Sequence, residues 1–219
     1  MKSTNTDQSR KIAQILFEIG AISFSRKRPF RFDSGILSPI YVDNRYLISY
    51  PKERKKVLKA LISIIKKNAK PFDIVAGIAT AGIPHAAWIA QELNLPMIFV
   101  RAKPKDHGKR NQVEGKIKKG QKVLVVEDLI STAGSSARVI KAIRSMGGIV
   151  TDLISIYSHS LKESKRNIKK AKVNAYHLTD TKTAANLAKD KGFLTQDQVN
   201  TVLEWVNNPQ NWGKKMGYE

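Results

Sequence analysis

The sequence has no cysteine among its 219 residues, which excludes disulfides and thiolate metal sites. Acidic residues are few: 18 Asp and Glu face 39 Lys and Arg, for a net charge of +21. No apolar run approaches the roughly 18 residues that a membrane-crossing helix needs. The polar opening MKSTNTDQSRK lacks the apolar stretch of a secretory leader. A soluble cytoplasmic protein is therefore expected. The positive excess suits nucleic acid, anionic lipid or anionic small substrates in principle. Its lysines are scattered in pairs (Lys55-Lys56, Lys66-Lys67, Lys118-Lys119, Lys169-Lys170) and form no tail, so we read them as a solvated basic surface.

Hydrophobic residues make up 42% of the chain, enough for a globular core, and its length suits one domain better than two. Ile12, Ile15, Leu16 and Ile19 recur at helical spacing over about 7–20, and Gly20 is the stop. Pro51 opens a second helix with the stripe Val57, Leu58, Leu61, Ile62 and Ile65. Short apolar strands are then expected at 73–78, 97–100, 123–126, 149–157 and 173–178. Helices are expected at 82–94, 134–146, 180–191 and 195–207, and a polar loop at 102–116. Continuously apolar strands alternating with helices indicate an α/β fold: a mostly parallel central sheet flanked by helices. A small N-terminal lid precedes it. We expect a single domain over 1–219, with the helix and lid at about 1–50, the binding core at about 70–180 and packing helices at about 180–219. Trp205 and Trp212 are read as anchors of that last part.

Ligands of open α/β sheets bind beyond the carboxyl ends of the strands. Val123–Ser136, VLVVEDLISTAGSS, places Glu127 and Asp128 there, then the small hydroxylated run Ser131, Thr132, Ala133, Gly134 and Ser135 at a helix start. Amides and hydroxyls at a helix N-terminus suit a phosphate. Carboxylates beside a phosphate would repel it, so they suit the hydroxyls of its sugar. The string reads as a sugar-phosphate site. A second segment, Val100–Gly115, carries Arg101, Lys103, Lys105, His107, Lys109 and Arg110, cations suited to a multiply charged anion. Gly77–Pro84, GIATAGIP, permits close approach of a ligand between a strand and a helix. His85 and His159, each alone in its segment, are read as structural.

The Val123–Ser136 string resembles the phosphoribosyl pyrophosphate (PRPP) motif of the type I phosphoribosyltransferases. The Lys105-Asp106-His107-Gly108 run followed by Glu114-Gly115, together with Phe32–Arg45, FDSGILSPIYVDNR, resembles the orotate phosphoribosyltransferases. That resemblance implies ribose binding by Glu127 and Asp128, and a 5-phosphate cradle running from Leu129 and Ile130 through Ser131–Ser135. It implies a pyrophosphate grip by Arg101, Lys105 and His107, with Lys103 the alternative lysine. It implies orotate contacts from Phe32, Ser34 and Ser131. It further implies Mg²⁺ carried by PRPP, with no direct protein ligand beyond a contribution from Glu127 or Asp128. It implies a homodimer whose 101–115 loop reaches the partner's site, and no nucleic-acid or membrane partner. Arg101, Lys103, Lys105, His107 and Asp128 would be the catalytic set. The chain departs from the family pattern at Ala133 (usually glycine), Ala102 (often lysine), Asp33 (lysine in some members) and IYSHS, where some members carry an arginine for the orotate carboxylate. The alternatives are a purine phosphoribosyltransferase and a PRPP-sensing nucleic-acid-binding regulator on the same fold.

Overall fold

The computed structural model describes residues 1–25, 28–32, 35–101 and 112–218. In chain order the strands are β1 (Lys2–Ser3), β2 (Ile22–Phe24), β3 (Phe30–Arg31), β4 (Leu37–Ser38), β5 (Ile40–Val42), β6 (Ile74–Ile78), β7 (Met97–Val100), β8 (Val113–Glu114), β9 (Lys122–Ile130), β10 (Ile149–Ser158) and β11 (Asn174–Asp180). The helices are α1 (Thr6–Glu18), α2 (Pro51–Asn68), α3 (Gly82–Leu93), α4 (Gly134–Ser145), α5 (Lys162–Ala171), α6 (Thr181–Asp190), α7 (Gln196–Asn207) and α8 (Pro209–Lys215), with a 3-10 turn at Asn44–Ser49.

Seven strands form the main sheet in the order β1-β11-β10-β9-β6-β7-β8. All pairings in it are parallel except β7 with β8. β9 lies in its middle. Because side chains alternate across a strand, Leu124 and Val126 join the core beneath α1 and α2, while Val123 and Val125 join the core beneath α4. Two small antiparallel pairs, β2 with β5 and β3 with β4, form a hood. The hood is tied to the sheet where Asn44 Nδ2 donates to the Asp128 carbonyl at 2.8 Å.

Local chemistry explains the helix starts. Asn5 caps α1 by accepting from Gln8 N at 2.9 Å. Pro51 sits at the first position of α2. Thr195 and Gln198 form a reciprocal capping box on α7.

Four features differ from the sequence reading. β9 continues through the two acids to Ile130, because β10 pairs with it as far as Ser158 opposite Ile130. The expected 102–116 loop contains β8, an edge strand at Val113–Glu114, and residues 102–111 lie outside the described residues. α5 was not foreseen: its sequence KESKRNIKKA is mostly charged, and only Ser164 and Ile168 are buried, too little for a visible stripe. α8 was also not foreseen: it is seven residues long, too short to show a helical repeat.

Trp205 and Trp212 are buried. Trp205 Nε1 donates to Leu37 O at 2.9 Å, and its ring meets Phe32 edge-on at 6.1 Å, so α7 supports the hood from behind. Replacing Trp205 with Ala should destabilise the protein by about 3–5 kcal/mol, the usual cost of deleting a buried aromatic ring. Urea denaturation checks this, and a loss below about 1 kcal/mol would show that the hood does not depend on α7.

Candidate active site at the carboxyl end of the central strand

Glu127 is buried and Asp128 half-buried at the end of β9. Glu127 Oε1 accepts from the Asp128 amide at 3.2 Å. Burial, and then the neighbouring Asp128 charge, push the Glu127 carboxyl well above its usual range. Burial also raises Asp128, and the negative charge of Asp43 adds to the effect. Asp43 itself is held below its usual value by a two-pronged pair with Arg45, whose Nε and Nη2 donate at 2.7 Å each. Hydrogen bonds from the Glu127 side chain and from the backbone oppose the rise at Asp128 without cancelling it. Hydroxyls brought to this spot would add donors that favour the charged forms.

The helix packed beside them is brought close by glycine. A Cβ on Gly82 would lie 2.7 Å from Val126 O and 3.4 Å from Glu127 Cα. Any side chain there would push the first turn of α3 off β9. The preceding loop is anchored where Ala79 N donates to Val100 O at 2.9 Å.

The hydroxylated run follows directly. Ala133 adopts φ 61° and ψ 18° as the N-cap of α4, the left-handed conformation that glycine usually takes, so the turn keeps its shape with alanine. Ala133 has no capping side chain to occupy the amides of α4, apart from a long 3.4 Å contact of Gly134 N with Thr132 Oγ1. Asn167 of α5 donates to Thr132 O at 2.9 Å and braces the turn. Arg138, one turn into α4, was not foreseen: its Nη1 lies 3.7 Å from where a Gly134 Cβ would be. Its spacing of four residues from Gly134 was the available signal. Amides, the hydroxyls of Ser131, Thr132 and Ser135, and this guanidinium are the groups that could hold an anion here. Ile130, in contrast, is buried in the core, and its carbonyl already accepts from His159 N at 3.0 Å.

On the hood side of the acids lies a cavity of about 290 Å³ lined by Arg31, Phe32, Tyr41, Val42, Leu129, Ser131 and His159. It unites Phe32 and Ser131, as the sequence implied, while Ser34 lies outside the described residues. Arg31, Tyr41 and His159 were missed as wall residues. The Phe32 and His159 rings are near-parallel, at 27° and 6.3 Å. A larger hollow of about 530 Å³ lies between α1 and α2, lined by residues such as Lys11, Ile15, Lys56 and Lys59, and touches none of the strand ends.

Arg101 stands just past β7. Its amide donates to Gln112 O at 2.9 Å, Gln112 Nε2 returns a bond to Arg101 O at 2.8 Å, and its guanidinium is 3.8 Å from Glu114. Lys103, Lys105 and His107 fall outside the described residues. Among the described residues no three His, Asp or Glu side chains converge as a metal-binding group.

The phosphoribosyl transferase domain family matches residues 49–186. An orotate phosphoribosyltransferase from Coxiella burnetii is 48% identical over 206 residues, 94% of this chain and 99% of that protein. The chain belongs to the orotate phosphoribosyltransferases. The solved structure of the Aeropyrum pernix orotate phosphoribosyltransferase superposes with a TM-score of 0.72 at 28% identity, covering 84% of this chain and 99% of that one. A Leishmania donovani UMP synthase superposes with a TM-score of 0.78 at 26% identity over 92% of this chain, which spans 42% of that protein. Membership favours the orotate reading over the purine alternative. Among the described residues no helix is long and apolar enough to cross a membrane.

Two outcomes follow from the site. Ala133→Val puts a β-branched residue at φ 61° and should cost about 2 kcal/mol or more, with loss of phosphate binding. Thermal melting with and without inorganic phosphate checks it. Glu127 holds its proton more tightly folded than unfolded, so its contribution to stability is present in full below the ordinary carboxyl value of 4.5 and is lost as pH rises through its raised value. Glu127→Gln, which cannot ionise, should therefore be more stable than the parent at pH 8, with the gap closing toward pH 4.5. Melting curves across pH read this directly, and a gap of the opposite sign would contradict it.

Proposed function

We propose that this chain transfers ribose 5-phosphate from PRPP to a ring nitrogen of orotate, giving orotidine 5'-phosphate and pyrophosphate in UMP synthesis. The observation that carries this is the adjacency of three parts: an anion cradle at Ser131–Ser135, a desolvated carboxylate pair at Glu127 and Asp128, and an aromatic cavity ending at Ser131. A sugar phosphate with its phosphate in the cradle lays its 2- and 3-hydroxyls toward the carboxylates. Its C1 then lies toward the cavity.

The ribose C1 gains positive charge as the bond to pyrophosphate breaks, and the leaving group gains negative charge. Arg101 and the 101–115 cations Lys103, Lys105 and His107 meet the departing anion. The protein's work is chiefly positioning and charge stabilisation, with no side chain acting as nucleophile. The hard oxygen donors of Glu127 and Asp128 fit Mg²⁺, which when bound neutralises pyrophosphate charge through ligands drawn mainly from PRPP itself. The chain acts in the cytoplasm as a homodimer, its 101–115 loop completing the partner's site. Tyr46, Ile48 and Tyr50, exposed together before α2, support such a partner surface.

The test follows orotate's ultraviolet absorbance with PRPP and Mg²⁺. The signal should fall only when all three are present. Asp128→Asn should slow it by about 100-fold, the scale of a misplaced reacting atom, and Lys105→Ala should do likewise. Turnover of a purine base without turnover of orotate would overturn the reading.

A further inference from the structure

His159 ends β10 at the place where the chain has no arginine, in the run Tyr157-Ser158-His159-Ser160. It is only 1% exposed, yet it forms part of the wall of the hood cavity together with Phe32 and Ser131. Its position is tightly set. The backbone amide donates to Ile130 O at 3.0 Å. The ring meets Trp205 edge-on at 5.0 Å and Tyr157 edge-on at 5.6 Å.

Its Nδ1 lies 2.9 Å from Thr181 Oγ1. The buried Tyr157 hydroxyl donates to that same Oγ1 at 3.1 Å. A threonine oxygen that accepts from Tyr157 still has one proton to give, and His159 Nδ1 is the acceptor beside it. The chain Tyr157 O–H to Thr181 O–H to His159 Nδ1 satisfies all three groups. It places the ring proton on Nε2, on the side of the ring away from Thr181. Burial lowers the His159 proton affinity to about 3, so the ring stays neutral.

The geometry points to His159 as a specificity-determining residue: its Nε2–H donates to an oxygen substituent of the pyrimidine held in the hood cavity. Tyr157 and Thr181 are positioning residues that fix the tautomer. The inference rests on the orotate-transfer reading. It adds that the base is recognised at this corner by a neutral donor, so a base presenting an amino group there would set donor against donor and be refused.

Three variants and one spectrum test it. His159→Phe keeps a flat ring without the donor. It should raise the KM for orotate about 10- to 100-fold, the effect of losing one buried hydrogen bond to a substrate. The KM for PRPP and the kcat should stay within about 2-fold, because the anion cradle is untouched. His159→Gln, whose amide can donate from about the same place, should recover part of the loss. Thr181→Val should raise the orotate KM by freeing the tautomer while leaving the PRPP KM alone. Nitrogen NMR of the unaltered protein should show the His159 proton on Nε2. That spectrum keeps the inference testable if a variant fails to fold. A parent enzyme that turns over orotate, with an unchanged orotate KM in His159→Phe or with the proton on Nδ1, overturns the His159 assignment alone. A parent enzyme that does not turn over orotate overturns the underlying reading instead.

Discussion

Two neighbouring carboxylates at the end of the middle strand of a parallel sheet are the constraint on which the rest is organised. Burial strips both of water and pushes both carboxyls up, and the Asp128 charge raises Glu127 further. Such a pair is costly to the folded chain, which fits the binding role proposed for it. The surroundings keep that arrangement intact. Asn44 Nδ2 bonds the Asp128 carbonyl and not its carboxylate. Gly82 lets α3 close the space beside Glu127. Ala133 accepts a left-handed backbone so that the amides of α4 face outward immediately after the acids.

The site separates charge by position. In the proposed reaction Arg138, beside Gly134 at the start of α4, would face the phosphate, and Arg101, just past β7, the pyrophosphate. The carboxylates sit between them, where a sugar contributes hydroxyls. The base cavity is built differently, from rings and one buried imidazole, and it is held by an element far away in sequence. Trp205 reaches from α7 to Leu37, Phe32 and His159, which couples the C-terminal helices to the shape of the base site.

Much of this was legible in the residues, for identifiable reasons. The parallel sheet announced itself through four consecutive apolar residues at Val123–Val126, because strands covered on both faces cannot alternate. The acids and the hydroxylated turn were legible because they are contiguous. What failed to show was of two kinds. α5 gave no apolar stripe, since it lies on the surface and buries only Ser164 and Ile168. Arg31, Tyr41, Arg138 and His159 owe their places to chain segments distant from one another, and spacing carries no such information. His159 reads as a lone histidine in sequence, and only the Thr181 contact 22 residues away reveals its orientation.

A crystal structure of the protein with PRPP bound tests the central claim most directly. The account predicts the 5-phosphate on the amides and hydroxyls of 131–135, and both ribose hydroxyls within hydrogen-bonding distance of Glu127 and Asp128. A phosphate seated on the carboxylate side, or a ribose with its hydroxyls turned away from both acids, would contradict it.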